Sequence, residues 1–141
     1  MLTEADIIKV MEAAHDTSNI EREDHIRSVF QTYADAFSND DIETVLGLFA
    51  DDAVLEDPVD TTPIKGKADL RVFYQFAMAH VDRIVLEGNV RAGRNKGSAA
   101  MLVYAKSGDS ISETTDVMEF NEEGKIVSMK AYWGAGNTRP L

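Results

Sequence analysis

Ser98-Ala99-Ala100-Met101-Leu102-Val103-Tyr104-Ala105-Lys106, then Ser107-Gly108-Asp109, then Ser110-Ile111-Ser112-Glu113-Thr114-Thr115-Asp116-Val117-Met118-Glu119-Phe120, is two long strand-forming runs joined by a turn. Small turn residues between two such runs signal a β-hairpin. Upstream, Arg83–Ala92 sets Ile84, Leu86 and Val90 against Arg83, Glu87 and Arg91, the period-two alternation of a half-buried strand. Downstream, the turn Asn121-Glu122-Glu123-Gly124 leads into a further run, Lys125–Gly134. The second half of the chain is therefore expected to be a meander of antiparallel strands.

The first half has the helical period instead. Ile7, Ile8, Val10, Met11 and Ala14 form one apolar stripe, with Thr3 placed to cap it and Asp6 three residues on. A second helix is expected over Glu21–Phe37, where Ile26, Val29, Phe30, Tyr33 and Phe37 recur at spacings of three and four. Ser38-Asn39-Asp40-Asp41 reads as a turn that caps a third helix, Ile42–Phe49. A short strand, Ala53–Glu56, stops at Pro58; the loop Val59–Gly66 follows, and Lys67–His80 is helical again through Leu70, Phe73, Tyr74 and Ala77. Helices first and strands afterwards give an α+β fold, helices covering one face of a curved antiparallel sheet. No repeat or linker divides the chain, so one domain is expected over residues 21–141, with residues 1–20 as an extra helical segment.

Composition excludes more than it assigns. With 141 residues the chain is long enough for one sizeable core. A net charge of −11 argues against a nucleic-acid partner, which would need clustered Lys and Arg, and against anionic membranes. The absence of cysteine removes disulfides, thiolate catalysis and zinc–thiolate sites. No apolar run approaches the roughly 18 residues of a membrane span, and Met1–Asp16 lacks the pattern of a signal peptide, so a cytoplasmic location is expected.

Among residues able to carry chemistry, Asp116 is the most anomalous. Alternation places it on one strand face with Thr114, Met118 and Phe120, and no Lys, Arg or His shares that face. A carboxyl so desolvated has a raised pKa; it is either satisfied by a nearby donor or held protonated. Tyr33, on an apolar helix face, is by itself an ordinary core tyrosine. Asp57 precedes Pro58, which favours an extended conformation at a strand end, and Phe73 and Trp133 are candidates for an apolar wall around it. His15, His25 and His80 fall on separate helical segments with no partner at ligand spacing, and Asp51, Asp52 and Glu56 lack calcium-loop spacing, so no metal is expected.

Four segments resemble the steroid delta-isomerases (3-ketosteroid isomerases) in order and spacing: Phe30-Gln31-Thr32-Tyr33-Ala34-Asp35-Ala36-Phe37, Phe49-Ala50-Asp51-Asp52-Ala53-Val54-Leu55-Glu56-Asp57-Pro58, Thr114–Phe120 and Met129-Lys130-Ala131-Tyr132-Trp133. The resemblance runs from about Val29 to Trp133 and includes the 24-residue separation of Tyr33 and Asp57. It implies a cone of nuclear-transport-factor-like type, the sheet wrapped around helices with an apolar pocket at its open end. It further implies that Asp57 is a general base, that Tyr33 and a protonated Asp116 form an oxyanion hole, and that no cofactor is needed. Tyr74 matches a family tyrosine that hydrogen-bonds to the first, while Phe49 stands where one branch of the family has a third tyrosine. Tyr74, Phe73, Met101, Trp133 and Phe49 would contact a small hydrophobic steroid, the loop Val59–Gly66 with Val85, Met101 and Val103 would set pocket width, and the protein would be a homodimer. Two other readings remain: an epoxide hydrolase or polyketide cyclase of the same cone fold, for which Arg91 and Arg94 are the nearest candidate arginines, and a non-catalytic binding or dimerisation module.

Overall fold

A computed structural model describes residues 1–141. Thr3 caps α1 (Glu4–Ala14) reciprocally with Asp6: each backbone N–H donates to the other's side chain. No residue of α1 is buried, and Ile8, Val10 and Met11 of its apolar stripe are each more than half exposed. Helix α2 (Ile20–Ser38) instead buries Ile26, Val29, Phe30, Tyr33 and Phe37, the stripe expected from their spacing.

Asp41 caps α3 (Ile42–Gly47), accepting from the backbone N–H of Thr44 at 3.1 Å. This helix ends two residues short of the Phe49 expected from its pattern. Its last carbonyls are taken by side chains from elsewhere: Lys67 donates to Leu46 and Lys125 to Gly47. The Ile126 N–H then takes the Leu48 carbonyl at 2.9 Å, which draws Phe49 into strand β1 (Phe49–Glu56), longer than the expected Ala53–Glu56. Tertiary partners decide this boundary, and local periodicity carries no trace of them.

Strand β2 (Ile64–Lys65) and helix α4 (Gly66–His80) precede the meander β3 (Val81–Gly93), β4 (Lys96–Ala105), β5 (Ser110–Phe120) and β6 (Ile126–Tyr132). The order across the sheet is β2-β1-β6-β5-β4-β3, and β7 (Thr138–Pro140) pairs with β5 beyond the end of β6. The meander is antiparallel as expected, but β1 lies parallel to β6, so the sheet as a whole is mixed. Strands β2 and β7, two and three residues long, are too short to show an alternation in sequence. Register shifts in β3, in the β5–β6 pair and in the β1–β6 pair mark where the sheet bends around α2 and α4.

The start of α2 is tied to the turns at one end of the meander. Arg22 donates to the carbonyls of Asn121 and Glu122 and to Asn95 Oδ1, and His25 Nε2 bonds the Gly124 carbonyl. Midway, Ile26 and Phe30 rest on bare backbone at Gly97, where a Cβ would lie 2.7 Å from Ile26 Cγ2 and 2.9 Å from Phe30 Cε2. No helix is long and apolar enough to cross a membrane.

Both side chains facing Gly97 are fully buried, so neither ring nor methyl can withdraw into solvent. Gly97→Ala is expected to cost about 1–3 kcal/mol of stability, the usual penalty of overpacking, read as a lower urea midpoint at unchanged slope. An unchanged midpoint would mean that α2 is not seated directly on β4.

Candidate active site

The face of β5 turned toward α2 and α4 carries Ser112, Thr114, Asp116, Met118 and Phe120 in alternation. Met118 and Phe120 continue into the core, while the first three line a cavity of about 410 Å³. Cross-strand register fixes their neighbours. Asp116 stands between Ala99 of β4 and Ala131 of β6; Thr114 lies beside Met101; Ser112 lies beside Val103, which in turn faces Ile84 of β3. Small residues on both sides of Asp116 leave its carboxyl room to face the cavity. Tyr33 and Phe37 enter from α2, Phe73, Phe76, Ala77 and His80 from one side of α4, and Asp57, Pro58 and Trp133 close the remaining wall.

Tyr33, Asp57 and Asp116, separate in sequence, thus line one cavity. The Tyr33 and Tyr74 hydroxyls are 3.1 Å apart, and the Tyr74 hydroxyl lies 3.8 Å from the Met129 sulfur. Two proton arrangements satisfy this chain. Tyr33 can donate to Tyr74 while Tyr74 donates to the sulfur, or Tyr74 can donate to Tyr33 and free the Tyr33 proton for a group in the cavity. Burial raises both phenol pKa values well above the usual range, aided for Tyr33 by the neighbouring Tyr74 and carboxylates, so both hydroxyls remain protonated donors.

The two aspartates differ. Asp116 is 4% exposed and its carboxyl has no hydrogen-bonding protein partner, yet it leaves no enclosed orphan atom because its oxygens open into the cavity. Burial, and secondarily the charge of Asp57, push its pKa well above the ordinary aspartate value. Asp57, half-buried at the end of β1, is also raised by burial, but the Trp133 indole opposes this by donating to Asp57 Oδ1 at 2.6 Å. A donor to the ionised form favours it, so the two carboxyls, both raised by burial, differ in that only Asp57 has a group opposing the rise. Sequence gives Trp133 only as apolar wall; the structure adds the work of its N–H.

Of the residues expected to contact a ligand, Phe73, Met101 and Trp133 line the cavity. Tyr74 and Phe49 stand behind it, fully buried with ring centroids 5.7 Å apart, where they support Tyr33 without facing the cavity themselves. Met101 and Val103 border the space as expected, but Val85 points outward and is 39% exposed; its neighbour Ile84 takes the inward position. Of Pro58 and the adjoining loop Val59–Gly66, only Pro58 reaches the lining. Phe76, His80, Ser112 and Thr114 are among the lining residues that lie outside the sequence-based expectation. Extending the Asp116 alternation back along β5 finds the last two, and following Phe73 one and two turns along α4 finds the first two. Arg91 and Arg94 are exposed and remote from the lining: Arg91 donates to Asn89 O, and the Arg94 backbone to Glu23. No cluster of three His, Cys, Asp or Glu side chains suits a metal ion.

A curved sheet closed over helices, with a mostly apolar cavity and a few convergent polar groups at its inner end, defines a small-molecule-binding cone protein. Residues 30–129 match the SnoaL-like domain, and the chain belongs to that family. It is 33% identical over 115 residues to a steroid delta-isomerase of Nocardioides simplex, an alignment covering 79% of this chain and 92% of that one. Its fold is shared with the epoxide hydrolase/cyclase-like enzyme SalBIII, described in pyran ring formation in polyether salinomycin. The TM-score is 0.73 at 21% identity, over 81% of this chain and 94% of that one. The first likeness agrees with an enzyme, and the second shows the cone fold.

The raised pKa of Asp116 has a signed consequence for stability. The folded protein holds a proton that the unfolded chain releases, so this group favours folding most below the unfolded aspartate pKa, and the benefit is lost as pH rises toward the folded value. Asp116→Asn, neutral throughout, is expected to flatten the fall in melting temperature between weakly acidic and alkaline pH. Parallel pH profiles for parent and variant would show that Asp116 is ionised in the native protein.

Proposed function

We propose that the protein is a steroid delta-isomerase that moves the double bond of a 3-oxo-delta-5-steroid into conjugation with the carbonyl. The observation that carries this reading is the placement of Tyr33, Asp57 and Asp116 in one cavity, where burial raises the Asp116 pKa well above the ordinary value and the Trp133 indole opposes the rise at Asp57. The likeness to the Nocardioides simplex enzyme supports the same choice.

The carbon between the carbonyl and the double bond of such a ketone carries an acidified proton. Asp57 takes that proton, and the electron pair left behind delocalises through the double bond and carbonyl into a dienolate. Its oxygen accepts hydrogen bonds from Tyr33 and from protonated Asp116, donors already in place as the charge develops. Asp57, now a carboxylic acid, returns the proton to the far end of the conjugated system. Product and substrate have the same atoms, and one residue serves as base and then as acid. The Trp133 bond to Oδ1 leaves Oδ2 for the proton and fixes the carboxylate plane. Apolar walls from Phe73, Met101 and Ala131 bind the rings and exclude water.

The lining contains no arginine, which disfavours the epoxide-hydrolase alternative as that chemistry was expected to appear here. In the working protein we place a second copy against the outer sheet face, where Val85 and Tyr132 are exposed and Arg83 stacks 3.7 Å over the Tyr104 ring. Sedimentation is expected to give a dimer that Val85→Glu with Tyr132→Glu dissociates; a monomeric parent at micromolar concentration contradicts it.

The isomerase reading is tested by the appearance of the conjugated enone absorbance from 5-androstene-3,17-dione. Asp57→Asn is expected to abolish turnover nearly completely, since an amide cannot carry the proton. Tyr33→Phe is expected to lower kcat by about 10²–10³ with a much smaller effect on binding, the usual loss of one oxyanion donor. Turnover by Asp57→Asn within about tenfold of the parent rate would remove Asp57 from the mechanism, because a positioned acid–base group contributes at least about 10².

A further inference from the structure

The polar groups of the cavity are not confined to its inner end. Along β5 the inward positions Asp116, Thr114 and Ser112 form a ladder, each step bordered by an apolar residue of β4. Four residues of strand separate Ser112 from Asp116, about 13–14 Å. That is commensurate with the long axis of four fused rings bearing an oxygen at each end, once a hydrogen bond at either end is included.

His80, the last residue of α4, borders the same cavity, and one contact holds its backbone while two hold its ring. The backbone N–H of Lys106 donates to the His80 carbonyl at 2.8 Å, the imidazole stacks on Phe76 with centroids 4.3 Å apart, and Nδ1 lies 2.9 Å from the Phe76 carbonyl oxygen. A carbonyl only accepts, so Nδ1 carries the hydrogen, and Nε2, which has no protein partner, presents a lone pair in that tautomer. Ser112 is similarly oriented. Its hydroxyl lies 2.8 Å from that of Thr138, where β7 pairs alongside β5. When Thr138 donates to Ser112, the Ser112 proton is free for a ligand.

We propose that His80 and Ser112 form a second polar subsite, selecting a substrate with a hydroxyl group on the ring farthest from Tyr33 and Asp116. The hydroxyl donates to His80 Nε2 and accepts from Ser112. A carbonyl at the same place satisfies Ser112 alone, and a bare ring satisfies neither. This inference rests on the steroid reading above for the shape of the ligand but not for the chemistry.

Equilibrium dialysis separates the two. The parent protein is titrated with testosterone, with 4-androstene-3,17-dione, and with 4-androsten-3-one, which lacks the distal oxygen; none carries the reactive delta-5 bond. The expected order of affinity is hydroxyl, then carbonyl, then bare ring, with about tenfold between first and last, as two ordinary net hydrogen bonds provide. In His80→Phe, which keeps an aromatic ring beside Phe76, and in Ser112→Ala, the ratio of Kd values between 4-androsten-3-one and testosterone is expected to fall to about one-third of the parent ratio or less. Equal affinity for the three steroids in the parent, or an undiminished ratio in both variants, overturns the subsite while leaving the isomerase reading intact. Failure of the parent to bind any of the three overturns both.

Discussion

The contact of Ile26 and Phe30 with the uncovered backbone of Gly97 sets how closely α2 approaches the sheet, and the depth of the cavity follows from that distance. Tyr33 lies two turns beyond Ile26 and one beyond Phe30, so seating them aims its hydroxyl at the cavity floor. The bonds from Arg22 and His25 to the meander turns prevent α2 from sliding along its own axis. A helix fixed in both depth and register can hold a hydroxyl at one place in the cavity, which a helix packed only by nonspecific apolar contact could not do.

Protonation states inside the cavity follow from what each carboxyl has beside it. Ala99 and Ala131 offer Asp116 neither charge nor donor, so desolvation prevails and raises its pKa well above the ordinary value. Asp57 has the Trp133 indole, which recovers part of the solvation lost on burial. One N–H therefore distinguishes the surroundings of the two carboxyls. The hydroxyl chain from Tyr33 through Tyr74 to Met129 adds a second freedom: its protons can turn toward or away from the cavity while each hydroxyl keeps a partner.

Much of this is legible in the chain. The apolar spacing in α2, the β5 alternation and the turns between strands announce the helices, the meander and the inward face of Asp116. Resemblance supplies the common cavity of Tyr33, Asp57 and Asp116, because pairing between strands as distant in sequence as β1 and β6 leaves no local mark. The same blindness explains the end of α3, set by Lys67, Lys125 and Ile126, and the parallel β1–β6 pair. Placing Val85 in the wall runs against its own alternation with Ile84, so there the residues speak more clearly than the expectation. Trp133 lies just past the last residue of β6, where alternation gives a direction for the ring but not a partner for its nitrogen.

The parallel seam between β1 and β6 closes the second strand-forming end of the molecule onto the first, and Asp57 sits at its lip with a donor 76 positions away. Before that seam forms, as on a ribosome that has not yet reached Trp133, Asp57 is a hydrated surface aspartate of no special reactivity. Trp133 reaches Asp57 only once the seam is closed, so a half-folded chain exposes apolar surface without the finished cavity.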